Sequence, residues 1–148
     1  MIKKILTALD GSAISLKAVK YSADMAKQTG AALVLLTVID DSALIAQSVP
    51  ASMSRARLPQ PIGQYMRTAS EKIIEKAITL CGKHKVRALG VIRNGRPVEE
   101  ILLEAGKSKA DIIVIGSRGK GSIESAVLGS VSYGVIHKNT KYPVLVIR

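Results

Sequence analysis

Along this chain, short unbroken runs of apolar residues alternate with longer stretches in which apolar positions recur every three or four residues, the periods of buried strands and one-sided helices. The first run, Ile2 to Leu9, is bounded by Asp10-Gly11-Ser12, residues suited to stop a strand and cap a helix. Leu16, Val19, Ala23 and Ala26 then mark one face of a helix ending at Gly30. Ala32 to Ile39 is nearly all apolar, as expected of a strand buried on both faces of a parallel sheet. Met66, Ala69, Ile73, Ala77 and Leu80 predict the buried face of a second helix stopping near Gly82, with Arg67, Glu71, Glu75 and Lys83 on its wet side. Val86 to Arg93 predicts a third strand, Asn94-Gly95-Arg96-Pro97 a turn, and Val98, Ile101, Leu102 and Ala105 a third helix. Asp111 to Ile115 reads as the fourth strand. Leu128, Val131 and Val135 stripe a fourth helix, and Tyr142 to Ile147 forms a fifth strand with Pro143 at its start, where a missing N–H matters least.

Five strands alternating with four helices predict a single α/β domain over residues 1–148: a doubly wound, open parallel sheet with right-handed crossovers, Rossmann-like, in the order 3-2-1-4-5. The irregular piece is Asp40 to Pro61, a long flexible loop with Pro50, Pro59 and Pro61 that carries Arg55 and Arg57. A connection of that length is expected to be a functional flap or a mobile loop. Ligands of such sheets bind beyond the carboxyl ends of the strands, where the strand order reverses. Here the reversal falls between strands one and four, so Asp10 and Gly116 are expected to face each other across a crevice bordered by Val38-Ile39-Asp40.

Composition narrows the chemistry. The lone Cys81 forms no internal disulfide, and His84 and His137 stand apart, so no structural metal site is expected. The start of the chain lacks the features of a secretory signal and no stretch is long and apolar enough to span a membrane, which together point to a reducing, cytoplasmic compartment. The formal charge of +11 favours anionic partners. With no Phe, no Trp and four Tyr, the chain lacks the aromatic platforms of single-strand nucleic-acid binders. Its basic residues are scattered along the sequence and read as a solvated surface, so specific nucleic-acid binding is not expected and only weak, low-salt association is.

The candidate chemistry lies late in the chain. Gly116-Ser117-Arg118-Gly119 follows the fourth strand, and Gly129-Ser130 comes after nine more residues. A glycine-rich loop that re-enters a helix gathers free N–H groups and the positive end of a helix dipole, which makes a phosphate cradle. Glycines alone are equally compatible with a tight strand-to-helix turn. Gly116, Gly119, Gly129 and Ser130 match, at every position, the glycine spacing of the universal stress proteins, in their ATP-binding branch, and the chain resembles that family from Ala8-Leu9-Asp10 to Tyr142-Pro143-Val144-Leu145-Val146.

The resemblance implies an adenine nucleotide, ATP or else AMP or ADP, with Mg²⁺ or Mn²⁺. It implies that Asp10 and Gly116 flank the ribose, Asp10 reaching a metal through the nucleotide, that backbone at Ala8 and Val38 meets the adenine, and that Ile115 is also a nucleotide-binding residue. Ser117, Arg118 and Gly119 together with Gly129, Ser130, Val131 and Ser132 would hold the phosphates. Arg118 and Lys120 either add charge to the phosphates or are solvated loop cations, and Asp10 could instead cap the first helix. The terminal strand Val144 to Ile147 lies at the sheet edge in this order, so pairing with its copy in a homodimer is expected, as the family commonly dimerises.

Other functions fit less well. A Walker lysine is followed by Ser or Thr, whereas Lys120 is followed by Gly121, and no positioned base is evident, so efficient turnover is not expected. A phosphoacceptor receiver would need an Asp at the end of strand three, where Arg93-Asn94-Gly95 stands. The glycine motif also argues against a regulator that binds no nucleotide. The reading is a nucleotide-dependent, stress-response regulator with protein partners the sequence does not name; the alternative is a slow ATP hydrolase or nucleotidyl-transfer enzyme on the same site.

Overall fold

A computed structural model of the chain describes residues 1–42, 60–119 and 128–148. Their elements run β1 (Lys4–Ala8), α1 (Ala13–Thr29), β2 (Ala32–Ile39), α2 (Gln60–Lys83), β3 (Ala88–Asn94), α3 (Pro97–Ser108), β4 (Ile112–Gly116), α4 (Ser130–Lys138) and β5 (Val144–Ile147). All neighbouring strands pair in parallel, in the order β3-β2-β1-β4-β5. β1 sits at the centre, with Thr7 opposite both Leu35 of β2 and Val114 of β4.

The period of two sends alternate side chains of each strand into separate cores. Ile5, Leu9, Leu33, Leu35 and Val114 face α1 and α2, where Val19, Ala23, Ala77 and Cys81 meet them. Leu6, Ala8, Leu36, Ile113 and Ile115 face α3 and α4 and pack on Ile101, Ala105 and Val135. Thr7 is the polar interruption of β1, and its hydroxyl is satisfied by a 2.6 Å bond to Ser22 of α1. Cys81 is buried as a free thiol, and loss of solvent pushes its pKa up to about 11.

Two expectations need correction. α2 buries Ser70, Ile74, Ala77 and Cys81, one position round the helix from the expected stripe; Ile73 and Leu80 flank that face and Ala69 is exposed. An apolar stripe wide enough to offer two faces does not say which one the sheet will take. The expected loop from Asp40 to Pro61 also closes early, because Gln60 and Pro61 already belong to the first turn of α2, where a proline is tolerated. Arg55 and Arg57 lie outside the described residues.

An ion pair ties the edge strand to the layer above it. Arg93 of β3 donates through Nε and Nη2 to Oε2 of Glu104 at 3.0 and 2.7 Å. The Glu104 side chain is only 7% exposed, against 33% for Arg93. Removing the cation would leave a nearly buried carboxylate unpaired. Arg93→Ala is therefore expected to destabilise the fold by about 2–4 kcal/mol in a denaturant titration, and Arg93→Met combined with Glu104→Leu to recover most of that loss.

Candidate functional site

A cleft opens at the carboxyl end of the sheet, at the reversal of strand order. Ala8 of β1, Leu36 and Val38 of β2 and Ile115 of β4 form an apolar shelf, closed from above by Pro97 and Ile101 of α3. Asp10 and Ser15 lie along one side. Gly116, Arg118 and Gly119 follow β4, and Gly129 to Ser132 at the start of α4 complete the wall.

The Asp10 side of the cleft is built by local hydrogen bonds. Gly11 takes φ +84°, a turn that glycine enters freely, and the Ser12 N–H donates to Asp10 Oδ1 at 2.9 Å. Ser12 is the N-cap of α1, its hydroxyl accepting from the Ser15 N–H at 3.2 Å. Asp10 therefore shapes the turn ahead of the helix, while the capping itself falls to Ser12.

The glycines have separate reasons. At Gly116 an added Cβ would lie 2.8 Å from Ile14 Cγ2, so this glycine lets the first turn of α1 seat against the end of β4. At Gly119 the Cβ would come within 2.5 Å of Asp10 Oδ2. The two arms of the cleft thus meet at Asp10 and Gly119. For both glycines the nearest obstacle to a side chain is another part of the chain.

The α4 side is held from beneath by Ser117, which is 2% exposed. Its N–H donates to the carbonyl of Ile147 in β5 at 2.6 Å, and its carbonyl accepts from the Gly129 N–H at 2.6 Å and the Ser132 hydroxyl at 2.9 Å. Ser132 also donates to the Gly129 carbonyl at 3.1 Å. α4 begins at Gly129 without a side-chain cap, whereas α1 has Ser12 and α3 opens on Pro97 with Glu99 and Glu100 in its first turn. The opening N–H groups of α4 are thus left for a ligand or solvent.

Of the twelve residues singled out from the sequence, eleven line this cleft; Ser117 lies under it as a structural tie. Lys120 falls outside the described residues. Asp40, expected to border the crevice, is exposed and accepts from the N–H and hydroxyl of Ser42. Sequence reasoning missed Leu9, Ser15, Leu36, Pro97 and Ile101. Leu36 could have been found from Val38, two residues on along the same face of the strand. Pro97 and Ile101 are a helical turn apart on α3, but their approach to the cleft depends on how that helix lies across the sheet.

The arrangement defines an α/β protein of the doubly wound class with a cleft at the topological switch point. The chain belongs to the universal stress protein family, whose sequence model matches residues 1–148. It is 33% identical over 148 residues to universal stress protein MJ0531 of Methanocaldococcus jannaschii, covering all of this chain and 83% of that one. Among solved structures it is similar to MJ0577 of the same organism, with a TM-score of 0.82 and 28% identity over 99% of this chain and 96% of that one. A universal stress protein in complex with cAMP shares the fold at TM-score 0.69 and 23% identity, covering 99% of this chain and 97% of the other. One from Archaeoglobus fulgidus in complex with dAMP does so at 0.68 and 19%, covering 100% and 98%.

Separate roles for Ser12 and Asp10 can be measured. Ser12→Ala should lower stability by about 1 kcal/mol through loss of the cap, read from the shift of the thermal midpoint. Asp10→Asn retains an acceptor for the Ser12 N–H and should leave that midpoint within about 0.5 kcal/mol of wild type.

Proposed function

We propose that this protein binds an adenine nucleotide, ATP or its AMP or ADP products, in the cleft, and that the bound nucleotide sets a conformation or partner contact in a stress response. The observation that carries this reading is the union, at one switch point, of an apolar shelf for a base, a carboxylate for a ribose, and an uncapped helix start for phosphates. The adenine would lie on Ala8, Leu36 and Val38 under Ile101. The phosphates would take the N–H groups of Ser130, Val131 and Ser132, with Arg118 beside them. Two proteins with this fold are complexed with cAMP and dAMP, which supports the choice of adenine.

Asp10 is the carboxylate in the cleft wall, and one carboxylate plus phosphate and water oxygens is a set that Mg²⁺ or Mn²⁺ accepts. A metal there would neutralise phosphate charge, and Asp10 would orient it. Among the described residues no helix is long and apolar enough to cross a membrane. The buried free thiol of Cys81 suits the reducing, cytoplasmic setting we propose. β5 pairs through one edge with β4, and its other edge suits pairing with a second copy.

Calorimetry with ATP and Mg²⁺ tests the site. Gly119→Val, which drives a side chain against Asp10, should weaken ATP binding at least about tenfold with the thermal midpoint held, and Asp10→Ala should weaken it as well. Wild-type affinity in both variants would remove the assignment. For the assembly, sedimentation at micromolar concentration should give a dimer that Leu145→Pro disrupts, whereas a stable wild-type monomer would refute the pairing.

A further inference from the structure

The basic residues that look scattered along the sequence are gathered in space. In a parallel sheet crossed by antiparallel helices, every helix-to-strand turn lies at the amino end of the strands, the pole opposite the cleft. Lys3 and Lys4 open β1 there, and their carbonyls accept from Ala32 and Asp111 across the sheet. Lys27 lies in the last turn of α1. Lys83, Lys85 and Arg87 span the turn from α2 to β3, and Lys107 and Lys109 the turn from α3 to β4. Lys141 stands ahead of β5 with its ammonium 5.3 Å from the Tyr142 ring centroid.

Nine cations thus share this pole with two carboxylates, among the described residues, and both carboxylates are engaged. Asp24 holds His84 at 2.8 Å. Asp111 accepts from the N–H groups of Lys3 and Lys4 at 2.8 and 2.9 Å, bonds that hold its carboxyl below the usual carboxylate range. None of the nine forms a side-chain ion pair with a described residue. Compensation of helix C-terminal dipoles accounts for Lys27, Lys83 and Lys107, which lie in last turns, and leaves the other six unexplained.

Two of those six stand where lysine is a poor choice. Lys85 at φ +60° and Lys109 at φ +56° are the only non-glycine residues in the left-handed region among the described residues. Each closes its helix by a Schellman turn, with Val86 N–H bonded to the Cys81 carbonyl and Ala110 N–H to that of Ala105. The corresponding position of α1 is Gly30, the residue that enters this conformation without penalty. A side chain retained at about 1 kcal/mol of strain, twice, on the same pole, points to use of its charge.

We propose that this pole is a docking surface for the phosphate backbone of duplex nucleic acid, bound without regard to sequence. Compact ammonium groups on flexible stems, carried by well-held turns, match phosphates as point charges and not through a planar fork. The sheet spans about 19 Å from β3 to β5, which is the length of about five phosphates along one strand. A single strand would need stacking platforms, and Tyr142, the aromatic of this pole, is occupied by Lys141. An anionic membrane would be held best by charge together with several inserted apolar anchors; the exposed tyrosines Tyr21, Tyr65 and Tyr133 lie on the helix flanks of α1, α2 and α4, and this pole exposes Met1 and Leu89 against nine cations.

The test is fluorescence anisotropy with a labelled random-sequence DNA duplex of about 20 base pairs, titrated with the full chain across salt concentrations. Wild type should bind at about 50 mM salt, with a log–log salt slope between about −4 and −6. Lys85→Gly combined with Lys109→Gly should weaken binding at least about tenfold and flatten the slope by about 2, while the thermal midpoint stays or rises because the strain is relieved. Gly119→Val should bind the duplex as wild type does, which separates this surface from the nucleotide cleft. An unchanged slope in the double variant, or capture by phosphatidylserine vesicles with no binding to the duplex, would overturn the proposal.

Discussion

The pairing of β1 on both sides, with β2 in one direction and β4 in the other, is the constraint from which the rest of this architecture follows. Because the chain leaves β1 toward β2 and returns across it to β4, α1 and α2 fall on one face and α3 and α4 on the other. The same reversal leaves the end of β1 facing the end of β4, with no crossover helix to fill the gap. Asp10 and the residues after Gly116 inherit that position from topology. Their side chains then refine it, through the turn at Gly11 and the seat that Gly116 gives Ile14.

Much of this was legible in the chain. Apolar runs long enough for strands but too short for helices, punctuated by Gly30, Gly82 and Gly95, fix element number, type and order, and a parallel sheet follows from the alternation. Family resemblance supplied the residues of the cleft, and the fold brings nearly all of them to one place. Four things were hidden. The buried face of α2 depends on the sheet it meets, Pro97 and Ile101 reach the cleft only through the tilt of α3, and Ser117 looks like a ligand-loop residue until its backbone partners are known. The distribution of charge was hidden as well, since residues far apart in sequence converge at one end of a parallel sheet.

The two poles of the molecule divide the polar chemistry between them. Helix starts, with exposed N–H groups, gather at the cleft, and helix ends, with exposed carbonyls, gather at the other pole beside the lysines. An α/β sheet creates this polarity whatever its sequence. In this chain the side chains extend it, leaving α4 without a side-chain cap at one end and placing at the other cations that form no ion pair among the described residues.

The Ser117 peptide joins the start of α4 to the last residue of β5. Two of its three bonds run between backbone groups, and the third needs only the hydroxyl of Ser132. A small side chain that fits the enclosed space at 117 leaves the backbone pair in place. The link between the cleft wall and the outer strand is therefore carried by backbone groups and not by the serine side chain at 117. It can persist while the residues around it drift within that volume, and a proline at 117, which lacks the N–H, would remove its bond to Ile147.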